Sequence, residues 1–234
     1  MINLTIWSDF ACPYCYIGEV RLEKAIEELN LKDRVQINYR AFELDPNAPK
    51  NVTEPTAERF ARKYGLTLEA AKEKVEEISK LGREEGIDFK YMNSQYTNTR
   101  DAHRLMKLAE KRYDRNTVEK LNKALFAAYF TENLELADHK VLFEKAVQSD
   151  MKADEVKEIL DTDKYVEEVI LDEREAVMRG IRGVPYIVFN GSFAVPGALT
   201  LDGFKSALQR ELRKQQNDAI NQKGHVCGPD GCKI

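Results

Sequence analysis

The sequence has no hydrophobic run that approaches the ~18 apolar residues of a membrane-spanning helix, which excludes a helical membrane anchor. It has no basic excess either. Against 36 Lys+Arg stand 40 Asp+Glu, and the net charge of −4 gives no reason to expect nucleic acid as a partner. Cysteine is scarce: four in 234 residues are far too few for a secreted scaffold stapled by disulfides. The three histidines, His103, His139 and His225, are scattered, and no internal repeat or low-complexity tract is present. The opening Met-Ile-Asn-Leu-Thr-Ile-Trp has no basic n-region, apolar h-region or small-residue cleavage site, which predicts a cytoplasmic protein. What remains is an ordinary soluble globular composition, long enough to bury a sizeable core. The placement of the cysteines is informative. Two lie at 12 and 15, two at 227 and 232, and none between. In a reducing compartment a close pair points to catalysis or metal binding rather than a structural disulfide.

Leu4 to Trp7 reads as a buried strand feeding a loop, Ser-Asp-Phe-Ala-Cys-Pro. Leu22, Ala25, Ile26 and Leu29 then fall at helical spacing, with Pro13 just inside the helix start, where a missing N–H is harmless. Val35, Ile37, Tyr39 and Ala41 alternate with polar residues as a second strand. Residues 46–182 change character and read as helices. Their stripes are Leu68–Ile78, Ala102–Tyr113 behind Thr99 as N-cap, Leu121–Tyr129, Val141–Val147, Val156–Leu160 and about Tyr165–Arg182. Strand character returns at Val184–Phe189. Asn190-Gly191 signals a hairpin into Ser192–Val195, and Leu201, Phe204, Leu208 and Leu212 predict a last helix. The outline is an α/β sheet layer built from both ends of the chain, with a helical block inserted between.

Cys12-Pro13-Tyr14-Cys15 carries the chemistry. Two thiols separated by two residues at a helix start can close a small disulfide ring. The unpaired amides and the positive end of the helix dipole stabilise a thiolate on the first, so Cys12 is the expected nucleophile. Cys15, one turn in, is the expected resolving thiol. Half of a zinc site is the competing reading. It needs two further ligands, and the scattered histidines do not supply them, so no metal is expected. Gly183-Val184-Pro185 opens the late strand. In a cis conformation Pro185 would bring neighbouring backbone beside a thiol and keep metal away; the plain alternative is an edge or turn proline.

Three segments together, Ser-Asp-Phe-Ala-Cys-Pro-Tyr-Cys-Tyr-Ile-Gly at the start, Asn-Thr-Arg-Asp-Ala-His-Arg-Leu at 98–105 and Gly-Val-Pro-Tyr-Ile-Val-Phe-Asn-Gly at 183–191, resemble the DsbA-like thioredoxin-fold superfamily. Within it the chain is most similar to the FrnE-like branch. The resemblance implies a thioredoxin fold in two pieces, 1–45 and 183–222, interrupted by an all-helical domain at 46–182 and followed by a cysteine-bearing tail at 223–234. It implies Pro185 as a cis-proline opposite Cys12, and thiol-disulfide oxidoreductase or disulfide isomerase activity on protein or small-molecule disulfides. It also supplies a rival. Kappa-class glutathione transferases and hydroxychromene-carboxylate isomerases share this architecture, typically with serine where this chain has Cys12. The expectation is therefore no bound cofactor, with glutathione as an available co-substrate. A redox sensor or holdase without catalysis is the other alternative.

Other residues carry weaker expectations. Pro13, Tyr14, Val184 and Pro185 are assigned to substrate contact, with Tyr14 exposed at the helix start. His103 would sit in the helical block facing the site, to tune the thiolate or touch substrate; a packed or solvated histidine is the alternative. Cys227 and Cys232 bracket the turn-forming Gly-Pro-Asp-Gly. They read as a second redox pair, a static disulfide or inert thiols in a frayed end. Trp7 is assigned to the core. The charge runs at 72–77 and 83–85 are assigned to solvated helix faces with local pairs.

Overall fold

The computed structural model describes residues 1–223. Four strands form one sheet. β1 (Ile2–Ser8) lies parallel to β2 (Val35–Ala41), with Ile2 opposite Val35 and Ser8 opposite Ala41. On its other side β1 pairs antiparallel with β3 (Tyr186–Phe189), which turns into β4 (Phe193–Pro196), giving the order β2-β1-β3-β4. The turn is the expected Asn190-Gly191. Both residues have positive φ, 48° and 70°, the geometry that matches strand twist in a two-residue hairpin.

Helix α1 (Pro13–Glu28) connects β1 to β2, and α9 (Leu201–Lys223) packs beside it. The core between sheet and helices is built from Ile2, Leu4, Ile6, Leu22, Phe189 and Phe204, all sealed from solvent. Trp7 is buried on the opposite sheet face, where its indole N–H donates to the Asp172 carbonyl at 3.1 Å.

Between β2 and β3 the chain is helical: α2 (Thr56–Tyr64), α3 (Leu68–Glu84), α4 (Arg100–Arg112), α5 (Arg115–Phe130), α6 (His139–Gln148), α7 (Ala153–Asp161) and α8 (Val166–Met178). Thr67, Asp114 and Asp138 cap α3, α5 and α6 with side-chain oxygens that accept backbone N–H bonds. The last of these helices, α8, ends at Met178, four residues short of the expected Arg182, because Gly180 takes a left-handed φ of 71° that stops it.

Two contacts fasten this block to the sheet layer. The first is aromatic. Tyr16 of α1 stacks on Phe126 of α5 with ring centroids 5.1 Å apart and on Phe89 at 6.0 Å, and inside the block Phe89 stacks in turn on Phe130 at 4.8 Å. Each such pair contributes about 0.5–1.5 kcal/mol beyond its buried area. The second is polar and runs along β2, the sheet's edge. Glu110 accepts the Tyr39 amide at 2.6 Å and Asp172 accepts the Ala41 amide at 2.9 Å. Lys107 donates to the Tyr39 carbonyl at 2.9 Å and Arg115 to the Val35 carbonyl at 2.8 Å. Backbone groups that would otherwise be unpaired are thereby satisfied from α4, α5 and α8. Asp172 is itself buried, paired with Lys107 and, at 3.1 Å, with Arg40.

Candidate dithiol active site

The site starts where β1 ends. Ser8 is the last strand residue, and Asp9 begins the loop with its carboxylate buried. Asp9 Oδ1 accepts the Ala11 amide at 3.1 Å and the Thr99 hydroxyl at 2.8 Å; Oδ2 accepts the Leu44 amide at 2.8 Å. One carboxylate therefore ties the thiol loop, the segment after β2 and the start of α4. Burial by itself would raise the Asp9 pKa. The neighbouring His103 and the Leu44 and Ala11 amides outweigh it and hold the carboxyl below its ordinary range. Thr99 does occupy the N-cap position of α4, but its hydroxyl serves Asp9 and makes no capping bond.

Cys12 is the N-cap of α1, in extended conformation, and Pro13 follows at the first helical position. The Cys12 amide donates to the Asp9 carbonyl at 3.0 Å, and its own carbonyl accepts from the Cys15 amide at 3.1 Å. Both thiols are free and almost covered. Cys12 Sγ lies 3.5 Å from the Val184 carbonyl, to which it donates. The Val184-Pro185 bond is cis. Pro185 packs on α1 at Gly18, where a Cβ would meet Ala198 Cβ at 3.2 Å and Pro185 Cγ at 3.5 Å. The tight neighbour at this position is thus Ala198, after β4, whereas the Pro185 contact would remain an ordinary one.

Cys15 is wholly enclosed. Burial, then the hydrogen bond and charge of Cys12, push its pKa well above the ordinary thiol range, while hydrogen bonding from Ser8 pulls the other way. The Ser8 hydroxyl lies 3.2 Å from Glu19 Oε1, and its one proton is given either to that oxygen or to Cys15. Glu19 is buried one turn below Cys15 on α1, and its other oxygen accepts from Asn122 Nδ2 of α5. Burial pushes the Glu19 pKa up to about 8, with the Asn122 bond opposing and the Glu23 charge reinforcing it. A chain of polar groups, Cys15, Ser8, Glu19 and Asn122, runs from the inner thiol into the helical block.

Cys12 opens onto a cleft of about 440 Å³ between the thiol loop and helices α2 and α3. Ala11, Pro13, Tyr14 and Val184 form one side; Arg59, Tyr64, Tyr91 and Tyr96 belong to the other. Tyr14 is 44% exposed, as its place at the helix start predicts. His103 is not among the cleft walls. It is buried behind the loop, its ring 5.0 Å from Phe10 and its Nε2 3.6 Å from Asp9 Oδ1, so it reaches the thiols only through Asp9. Cys227 and Cys232 lie outside the described residues. The charge run ending at Glu85 is not wholly solvated: Glu85 reaches α1 and pairs with Arg21 at 2.7 Å and Lys24 at 2.9 Å. Lys74 and Glu77 do form a local exposed pair, at 2.6 Å. Among the described residues no group of His, Cys, Asp and Glu could hold a metal ion, and no helix is long and apolar enough to cross a membrane.

Sequence reasoning passed over Ser8, Asp9, Glu19 and Arg59. The first two flank the motif in plain view, and a buried acid four residues after Cys15 on the same helix face was a readable signal.

Comparison with known proteins agrees with this architecture. The chain is 32% identical to the probable DsbA oxidoreductase SCO1869 of Streptomyces coelicolor, whose crystal structure superposes with a TM-score of 0.83 over 100% of this chain and 99% of that one. It is 24% identical to the uncharacterised protein YwbO of Bacillus subtilis strain 168, over 92% of this chain and 99% of YwbO. The cytosolic disulfide reductase DsbM of Pseudomonas aeruginosa shares the fold at 15% identity, with a TM-score of 0.60 over 90% and 98% of the two chains. The family description "DSBA-like thioredoxin domain" matches residues 3–209, from the first strand through the cis-proline loop and into the last helix, and the chain belongs to that family.

Proposed function

We propose that the protein is a thiol-disulfide oxidoreductase that works through Cys12 and Cys15. The observation that carries this reading is the placement of two free thiols at the start of α1, with Cys12 Sγ against the Val184 carbonyl at the floor of an open cleft. Cys12, as thiolate, attacks one sulfur of a substrate disulfide. The substrate S–S bond breaks, one substrate thiolate leaves, and a mixed disulfide forms on Cys12. Cys15 then gives up its proton and attacks Cys12 Sγ. An enzyme disulfide forms, the second substrate thiolate leaves, and two electrons have passed from enzyme to substrate. The raised pKa of Cys15 makes that proton the obstacle to resolution. The departing substrate thiolate can take it up, and Glu19, in its ionised form, can accept it through Ser8.

The same chemistry, stopped at the mixed disulfide and reversed onto another substrate sulfur, isomerises disulfides. In a reducing cytoplasm, the compartment we assign to the protein, the pair rests reduced, which favours reduction or isomerisation over net oxidation. Its partners on this reading are protein or small-molecule disulfides, with glutathione as an available co-substrate and no resident cofactor.

The test is reduction of insulin with dithiothreitol as electron source, beside refolding of a scrambled disulfide protein. Cys12→Ser is expected to abolish both, and Cys15→Ser to accumulate mixed disulfides. Wild-type inactivity on disulfides, combined with a glutathione-dependent isomerisation that survives in Cys12→Ser, would reject the reading in favour of the isomerase or transferase class. Inactivity in both chemistries, with client binding that follows redox state, would reject it in favour of a sensor.

A further inference from the structure

Arg59 is a buried cation with no anion. It sits on α2 in the wall of the Cys12 cleft and is only 8% exposed. Its Nε is sealed from solvent without a hydrogen-bond partner, and among the described residues its side chain makes no ion pair. Its guanidinium lies 3.8 Å from the centroid of the Tyr96 ring. An aromatic face compensates only part of what a guanidinium loses on leaving water, and it uses none of the five N–H donors.

The carboxylates around it are committed elsewhere. Asp45 accepts the Tyr96 hydroxyl at 3.0 Å, Glu54 pairs with Arg62, and Glu77 pairs with Lys74 at 2.6 Å. One turn along α2, Lys63 adds a second positive charge to the same cleft. The cleft floor carries the nucleophile, the wall carries unused donors in a planar fork, and the volume suits a tripeptide-sized molecule.

We propose that Arg59 is a specificity-determining residue, forming a carboxylate subsite that selects small disulfides whose thiols bear a free carboxylate, glutathione disulfide among them. The inference rests on the oxidoreductase reading above and names the substrate class of that site. Arg59 binds the carboxylate in a forked, charge-assisted contact while Cys12 attacks the disulfide sulfur. One carboxylate-bearing thiolate then leaves on attack and the second on resolution, as the enzyme is oxidised to the Cys12–Cys15 disulfide.

The experiment follows oxidation of the reduced full-length protein by three disulfides: anionic glutathione disulfide, neutral hydroxyethyl disulfide and cationic cystamine. Cys12 and Cys15 are followed by quenched alkylation and mass spectrometry. Each rate is divided by that of the same disulfide with a small model thiol, which removes intrinsic reactivity. Wild type is expected to favour glutathione disulfide over the neutral compound by about tenfold or more, and cystamine to be the poorest of the three. Arg59→Gln is expected to lower the anionic-to-neutral ratio about tenfold, with most of the loss in apparent affinity, and Arg59→Lys to restore part of it.

A wild-type ratio near one overturns the proposal even if Arg59→Gln fails to fold. A ratio unchanged in a folded Arg59→Gln, or an equal loss on all three disulfides, also overturns it. Reaction with none of the three rejects the oxidoreductase reading itself, and the subsite with it.

Discussion

Replacing Glu19 with Gln removes a buried carboxyl while keeping its shape. The Gln carbonyl can still accept from Asn122, and its amide can donate to Ser8, so the polar chain beneath Cys15 survives. Protonation is what changes. In the folded protein Glu19 titrates at about 8, against an ordinary 4.5 in the unfolded chain. Below the lower value both states hold the proton, and the carboxyl contributes nothing to the pH dependence. Between the two values the unfolded chain releases a proton that the native state keeps. Native stability then falls by about 1.4 kcal/mol per pH unit until the folded group also ionises. From pH 5 to pH 7.5 the loss amounts to about 3 kcal/mol. Urea unfolding across that range should show wild type losing about this amount relative to Glu19→Gln, with unchanged m values. The same variant, carrying a preformed mixed disulfide on Cys12, should resolve it more slowly, and the inflection near pH 8 should disappear from the resolution rate. Parallel stability curves for the two proteins would refute the raised pKa. Parallel curves together with an unaltered resolution profile would remove Glu19 from the proton path.

Asp9→Asn should destabilise the protein by about 1–3 kcal/mol at neutral pH, because three donors lose a charged acceptor. Since the Asp9 pKa is lowered, that stability is present above the ordinary carboxylate range and is lost as pH falls through the folded pKa. The gap between variant and wild type should therefore close in acid, as read by urea unfolding. Gly82→Ala should cost about 1–3 kcal/mol in thermal unfolding, because a Cβ on that face of α3 runs into the Phe89 ring and through it the aromatic stack on Phe130.

The sheet, its flanking helices and the dithiol were legible because their signals are local. β1 is an apolar run, α1 opens with Cys-Pro, and the hairpin carries Asn-Gly in the conformation those residues favour. Helix α2 was readable too, since Ala57, Phe60, Ala61 and Tyr64 fall at i, i+3, i+4 and i+7 behind Pro55, and Arg59 was passed over with it. Arg59 stacks on Tyr96, which lies on a loop that no pattern within α2 could reveal. The polar chain under Cys15 joins residues 8, 19 and 122, and the last of these is delivered by tertiary packing of α5. Thr99 shows the limit in another way. A threonine at a helix start reads as a cap, yet with Asp9 beside it the hydroxyl bonds the stronger, charged acceptor.

The polar seam along β2 makes the inserted helices part of the sheet's chemistry as well as a cover for the thiols. An excised protein made only of the two sheet-forming segments would present β2 as a bare edge, with the Tyr39 and Ala41 amides and the Val35 and Tyr39 carbonyls left to water or to another chain. Such an edge is a template for strand addition between copies. Side chains from α4, α5 and α8 occupy every one of those four positions, so the helical block closes this edge to strand addition there. Any minimal redox module cut from this chain would need new charges or a proline on β2 to block that pairing.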